Sequence, residues 1–316
     1  MAIEYDVPGF STGAQVALMY QEIAPRAEMY DGDATVAFVL PDADPPSLSY
    51  AVEALAQAGT PGLRGEVWLP GEDGKYRNIT DINELRRVSK GGLFTLANDN
   101  ETLRLIQELN ERDGIDLEGV VPLNITPGTL ALKASIDLDG VTSESPHVPA
   151  TPVSMLDVAN AMLQARGIES VRDLDPSQIV VLGNGGVAGP LVAKVLPGAG
   201  VHVPPENHYK NRNNLDAGAE RLATDTNIVL GFTATRAPGN ITDLTPNTIL
   251  IDYGYATMPD SGRETGNAHP DLVQRHGEDG RDILAFRGGG GPITIAHIYG
   301  RAVARRLARV GQPVAA

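Results

Sequence analysis

The chain has no cysteine, a single tryptophan and few aromatic residues, which make up 5% of its 316 positions. Without thiols there is no disulfide framework and no thiolate chemistry, and cysteine usage says nothing of the redox compartment. Basic residues are scarce too: 25 lysines and arginines stand against 40 aspartates and glutamates, a formal charge of -15. That balance argues against nucleic acid or an anionic membrane as a partner, since both present phosphate. No apolar run approaches the about 20 residues of a membrane span. The start, M-A-I-E-Y-D, has neither the basic nor the apolar segment of a secretory signal. A cytoplasmic location is the resulting expectation.

What the chain does have is 42% hydrophobic residues and enough length for two domains of about 150 residues each. Its organising stretch is Ile179 to Lys194, I-V-V-L-G-N-G-G-V-A-G-P-L-V-A-K. A short β-branched run ends at Gly183, and an apolar pattern of helical type resumes after Gly189, with Pro190 suited to a first helical turn. Gly183, Gly185 and Ala188 meet the G-x-G-x-x-G/A spacing of a dinucleotide turn. In such a turn the glycines let a pyrophosphate approach backbone amides at a helix N-terminus. Among 35 glycines the spacing gains its meaning from context. Val201-His202-Val203 reads as a second strand, followed by Glu206, about 20 residues beyond the glycines, where an acid binds a ribose hydroxyl. The expected cofactor contacts are therefore Gly183, Asn184, Gly185, Gly186, Val187, Gly189 and Glu206.

In chain order, helices are expected at Thr12–Arg26, Ser47–Ala58, within Thr80–Asn110, at Val153–Gln164, Leu215–Leu222 and Ile293–Val310. Strands are expected at Asp33–Leu40, Gly65–Leu69, Leu117–Leu123, Asn227–Leu230, Thr248–Tyr253 and Ile283–Phe286. This alternation indicates parallel βαβ units. A proline-rich stretch between Gly140 and Pro152 marks a boundary. The expected fold is thus α/β with two α/β domains and a cleft between them. Residues 1–148 with the C-terminal helix 294–316 form a substrate domain, and 149–293 a Rossmann-type dinucleotide-binding domain. Arg301, Arg305, Arg306 and Arg309 on the terminal helix are read as a solvated face that complements the helix dipole. His202, His208, His269, His276 and His297 lack paired metal-ligand spacing, so no metal is expected.

Several separated segments, taken together, resemble the methylenetetrahydrofolate dehydrogenase/methenyltetrahydrofolate cyclohydrolases. Asp44-Pro45-Pro46-Ser47-Leu48-Ser49-Tyr50 looks like the family's D-P-A-S-x-x-Y, Leu138-Asp139-Gly140 its V-D-G, and Pro149-Ala150-Thr151-Pro152 its P-C-T-P. Val181 to Pro190 is similar to its cofactor loop, Ile249 to Gly254 to its V-V-I-D-V-G, and Gly288 to Thr294 to its P-G-G-V-G-P-M-T. The order and spacing agree over nearly the whole chain. The resemblance implies NAD or NADP as cofactor, a reduced folate as substrate and a homodimer. It implies catalytic and substrate-binding roles for Tyr50 and Asp139, with Gly288, Gly289, Pro292 and Thr294 lining the substrate.

The sequence departs from the family at two positions. Ala54 stands where the family has a lysine and Leu123 where it has a glutamine, which removes the acid/base group of cyclohydrolase chemistry. Losing such a group costs roughly 100- to 10,000-fold. Hydride transfer needs orientation and a dry pocket rather than that lysine. The expectation is a dehydrogenase with weak or absent cyclohydrolase activity. A different pterin or small-amine substrate, or a catalytically inactive cofactor-binding protein, are the alternatives. With Asn184 in place of the family's arginine and an acid at Glu206, NAD is expected over NADP, although Lys210 and Arg212 lie close by. Read without the family, Tyr50 is a core-edge tyrosine, Asp139 a turn former before Gly140, and Asp252 a cap of the loop that follows it.

Overall fold

The computed structural model of the chain describes residues 11–27, 34–42, 44–91, 96–123, 131–235, 237–258, 264–279, 282–284 and 290–311. It divides into two compact units, one holding Val16–Ala150 with the segment from Thr294 onward, the other Thr151–Ile293 with the N-terminal segment up to Gln15.

In the first unit, α1 (Thr12–Ala27) precedes β1 (Thr35–Val39), α2 (Pro45–Ala58), β2 (Arg64–Pro70), β3 (Tyr76–Ile79), α3 (Ile82–Gly91), α4 (Asp99–Glu111) and β4 (Leu117–Pro122). The sheet order is β3-β2-β1-β4. β1 pairs in parallel with β2 and β4, and β3 runs antiparallel at the edge. All five residues of β1 are buried because it is covered on both faces. Val36 and Phe38 join the core under α2 and the C-terminal helix, and Ala37 and Val39 join Leu105, Ile106 and Leu109 of α4. Helix α2 starts two residues earlier than its apolar pattern suggests, because Asp44 caps it by accepting from Ser47 N at 2.9 Å and a proline fits its first turn. The sequence reading missed β3. It returns from β2 through a turn in which Gly74, at φ +74°, takes a left-handed conformation.

The second unit begins with α5 (Ala150–Ala165) and continues with β5 (Ile179–Leu182), α6 (Ala188–Pro190), α7 (Leu196–Gly198), β6 (His208–Tyr209), α8 (Arg212–Thr224), β7 (Leu230–Thr233) and β8 (Ile249–Asp252). A two-residue hairpin, β9 (Ala256–Thr257) and β10 (Glu264–Thr265), follows, then α9 (Pro270–Asp279), β11 (Ile283–Leu284) and α10 (Gly291–Arg309), which ends in the first unit. Its main sheet has five strands, all parallel, in the order β11-β8-β7-β5-β6. Consecutive strands step outward from β5 in one direction to β6 and in the other to β7. The carboxyl ends of β5 and β7 therefore flank a topological switch point, where open α/β sheets bind ligands.

Two expectations for this sheet are corrected. Val201–Val203 is not a strand: Val201 N donates to Leu196 O and Gly200 N to Pro197 O, both at 2.9 Å, with Gly200 at φ +83°. This paired closure ends the preceding helix and takes the segment out of the sheet. The second strand is β6, and the buried Asn207 anchors it by donating to Ile179 O at 2.9 Å and Ser177 O at 3.0 Å. β7 also lies further along than expected. Gly231 hides its pattern, yet a β-carbon there would come within 2.8 Å of Leu222 on α8.

The arginines of α10 are not a solvated face. Glu118, in the middle of β4 and 0% exposed, accepts from Arg306 at 2.9 Å and Arg309 at 3.2 Å, while Arg305 donates to the Glu118 carbonyl at 2.6 Å and pairs with Asp113. A buried carboxylate needs such partners to offset its lost hydration. Arg301, Arg305 and Arg309 recur every four residues and so lie along one side of the helix.

Candidate functional site

The glycine turn follows β5 at the switch point. Gly183 takes φ +113°, and a β-carbon there would lie 3.0 Å from both Ala234 O and Thr235 Cγ2, so only glycine fits this position. Its N–H donates to Tyr209 O at 2.9 Å. Its carbonyl lies 2.7 Å from His208 Nε2. Burial lowers the pKa of His208, so the neutral ring with a proton on Nε2 donates this bond. The two hydrogen bonds fix the first peptide of the turn to β6. In the sequence alone His208 shows only as a histidine without paired metal-ligand spacing.

Gly185 and Gly186 have open space where a β-carbon would stand. At Gly189 a β-carbon would meet Asn184 O at 3.1 Å. The turn is thus tight at its ends and open in its middle, a form that fits a diphosphate over backbone amides. The helix behind it contains a π turn, Leu191–Val195, closed by Leu196 N donating to Leu191 O. Pro197 explains this widening, since its ring clashes with a regular α-turn and it has no N–H to donate.

Glu206 does not stand where a ribose would meet it. It lies exposed in the 3₁₀ turn Pro205–Asn207, ahead of β6. The register pairs Val181 with His208 and Leu182 with Tyr209, which puts Glu206 at the amino end of the strands, opposite the glycine turn. At the carboxyl end, Tyr209 turns toward α8, where a β-carbon on Gly218 would touch its ring at 2.8 Å, and the exposed Lys210 follows.

Asp252, at the end of β8, accepts from Gly254 N and Ala268 N, each at 2.8 Å, and so braces the loop beyond the strand. Burial raises its carboxyl to about 6, against the pull of these donors. Asn267 beside it is fully buried, accepting from Thr233 Oγ1 at 2.8 Å and Thr235 N at 3.0 Å. Of the glycine run before α10, Gly288 and Gly289 lie outside the described residues. Gly290 has a packing reason, since a β-carbon there would fall 1.7 Å from the ring of Tyr253, whose hydroxyl lies 3.0 Å from Ser154 Oγ. Pro292 and the buried Thr294 sit in the first turn of α10.

In the other unit, Tyr50, Leu123 and Asp139 gather at the carboxyl edge of the parallel strands. Tyr50, on α2, meets Phe38 edge to face at 6.4 Å. Leu123 follows β4 and donates its N–H to Val39 O at 2.9 Å. The segment leading to Asp139 runs beside β4, with Leu138 N donating to Val120 O at 3.1 Å. Asp139 keeps part of its surface open, yet burial raises its carboxyl to about 6. The neighbouring Asp137 pushes the same way, and Arg301 and the Ala150 amide oppose them. Ala54 is 0% exposed and sits in the core beneath Tyr299, whose hydroxyl donates to the Ala54 carbonyl at 2.6 Å. Asp137 is not singled out by the sequence and Arg301 is read there as part of a solvated face, although the D-L-D-G spacing and the four-residue repeat of arginines were the available signals.

No family model matches the chain, and no curated protein matches it by sequence. Among solved structures it is similar to a 5,10-methylenetetrahydrofolate dehydrogenase from the silkworm, Bombyx mori, with a TM-score of 0.58 at 18% identity over 99% of this chain and 100% of that one. It is also similar to the NAD-dependent 5,10-methylenetetrahydrofolate dehydrogenase of Saccharomyces cerevisiae, with a TM-score of 0.59 at 13% identity over 94% of this chain and 96% of that one. A parallel five-stranded sheet with its glycine turn at the switch point, together with a separate α/β unit, gives this chain the two-domain, Rossmann-like fold of those dehydrogenases.

Proposed function

We propose that the protein oxidises 5,10-methylenetetrahydrofolate to 5,10-methenyltetrahydrofolate with NAD or NADP, and that its cyclohydrolase activity is weak or absent. The observation that carries this reading is the glycine turn, open at Gly185 and Gly186 and closed at Gly183, in a chain that shares the fold of two methylenetetrahydrofolate dehydrogenases. The amides of the turn ahead of Gly189, whose own N–H donates to Gly185 O at 3.0 Å, would hold the pyrophosphate, and a bound nicotinamide would supply the hydride acceptor. Tyr50 borders the folate ring. Asp139, as a carboxylate, accepts from the pterin N–H groups. The hydride leaves the methylene carbon with its bonding pair, driven by the folate nitrogen lone pairs, and no protein group has to take a proton in that step.

Water addition to the methenyl carbon does require a proton acceptor. Ala54 and Leu123 offer none where the family has lysine and glutamine. The test follows absorbance at 340 nm with each nucleotide and methylenetetrahydrofolate, and then measures methenyltetrahydrofolate hydrolysis on the same preparation. Reduction of nucleotide with hydrolysis no faster than in buffer supports the reading. Absence of turnover with any folate, in a protein that binds nucleotide, sinks it in favour of another pterin, a small amine or a non-enzymatic role. Homodimeric assembly, which the family resemblance implies, is read by sedimentation on the same sample.

The choice between the two nucleotides no longer rests on Glu206. The charge at the carboxyl end of β6 is that of Lys210, which suits a 2′-phosphate, while Asn184 adds no cation. Lys210→Glu is expected to weaken NADP by about 10-fold or more, the worth of one charge-assisted hydrogen bond, and to leave NAD nearly unchanged. Equal losses for both nucleotides, measured by calorimetry, would show that Lys210 does not face the ribose.

A further inference from the structure

Arg301 differs from the other arginines of α10, which serve Glu118 and Asp113. Its two terminal nitrogens donate to Leu138 O and Val148 O, each at 2.8 Å, the two ends of the loop that carries Asp139. The loop is also tied from within. The buried Asp137 accepts from Gly140 N at 2.9 Å, Thr142 N at 2.7 Å and Thr142 Oγ1 at 2.8 Å. Ala150 N donates to Asp139 O at 3.0 Å. Gly140, at φ +79°, lets the chain fold so closely that a β-carbon would lie 2.6 Å from His147 O. Two carboxylates, Asp137 and Asp139, are thereby held one residue apart in a largely dehydrated loop.

Such a pair does not ionise fully without a cation, because each negative charge raises the cost of the other. The three donors all go to Asp137. Among the described residues, the groups whose charge acts on Asp139, His147 and Arg301 include Asp137 from the loop, Arg305 from the same helix and Tyr50 from α2. Burial and the Arg301 charge lower the imidazole of His147, so it adds no positive charge near neutral pH. The compensating cation is Arg301.

We propose that Arg301 is a positioning residue for Asp139: it closes the loop from both ends and offsets the Asp137 charge, so that Asp139 faces the substrate as an ionised acceptor. The role of that acceptor rests on the folate reading above. A protonated carboxyl donates through one oxygen and cannot accept from two adjacent N–H groups. Productive folate binding should therefore be present above about pH 6 and lost as pH falls through that value, with Asp139 as the titrating group.

The test titrates Asp139 directly, by carbon NMR of labelled aspartate carboxyls assigned with Asp139→Asn, in the wild type, Arg301→Met, Arg301→Gln and Arg301→Lys. Loss of an opposite charge at this range is expected to raise the Asp139 midpoint by about one pH unit, a tenfold change in proton affinity, in the Met and Gln variants. Arg301→Lys should keep the wild-type midpoint, and should lower kcat/KM for methylenetetrahydrofolate because it cannot bridge both carbonyls. The acid limb of kcat/KM should move with the midpoint while NAD affinity stays constant. If Arg301→Met does not fold, Arg301→Gln reads the same shift. An unmoved midpoint overturns the role of Arg301 whatever the turnover. A moved midpoint in a protein that turns over no folate keeps Arg301 as the positioning residue and removes the folate.

Discussion

Gly185→Val is expected to abolish nucleotide binding and to leave the protein folded. No atom lies within 4 Å of the β-carbon position at Gly185, so the native packing accepts a side chain. The space it fills is the approach to the amides of the turn, where a pyrophosphate would sit. The Kd for NAD or NADP should rise on the order of 100-fold or more, about 2.7 kcal/mol, with Tm within about 2 °C of wild type. Gly183→Val provides the contrast. There the left-handed backbone and the contacts at 3.0 Å to Ala234 and Thr235 mean that stability and binding fall together. Calorimetry on Gly185→Val showing wild-type affinity would remove the turn as the cofactor site.

Ala54→Lys carries the second large effect, and it is a loss. Judged from sequence, restoring the family lysine should restore cyclohydrolase activity. The structure gives the opposite expectation, since the Ala54 side chain is 0% exposed in the core that includes Leu48, Ala51, Ala58 and Tyr299. An ammonium forced into that core without a partner, together with three methylenes of added volume, costs about 3 kcal/mol or more. Tm should fall by roughly 6 °C or more, and hydrolysis of methenyltetrahydrofolate should stay at the buffer rate. A stable variant that gains hydrolysis would show that the helix around Ala54 can turn its side chain outward, contrary to the packing described.

These two positions also mark what the sequence could disclose. The turn from Gly183 to Gly189 was legible because everything that defines it is local: a β-branched strand, fixed glycine spacing and a helix start. Ala54 was legible as a departure from a motif, but its burial was not, since burial depends on Tyr299, which is 245 residues away. Tyr50 and Asp139 are site candidates by resemblance alone, and both lie at the carboxyl edge of the first sheet. The carboxylate's nearest cation, Arg301, was unreadable because it meets Leu138 across 163 residues. β6 was misplaced for a different reason. An apolar triplet with strand-like composition was used to close a helix, and the side chain of Asn207 did the anchoring that a regular ladder would have done. Side-chain substitution for backbone pairing leaves no periodicity to detect.

The ion cluster at Glu118 has a consequence for the order in which the chain becomes a protein. Arg305, Arg306 and Arg309, which bond Glu118, lie 187 to 191 residues further along. At about 5–20 residues per second of synthesis, Glu118 leaves the ribosome roughly ten to forty seconds before these partners exist. Throughout that interval β4 carries a carboxylate that its own neighbourhood cannot neutralise, so the sheet around it cannot settle into its final packing. The segment Thr151–Ile293, by contrast, makes up the other unit together with the N-terminal segment ending at Gln15, and all of it is synthesised before the arginines of α10. The expected order of maturation therefore runs against the direction of translation: the half that holds Glu118 is completed last, when α10 emerges and brings its arginines to it. Nascent chains stalled before Arg301 should already protect the β5–β8 sheet from protease while the β1–β4 sheet is still cut.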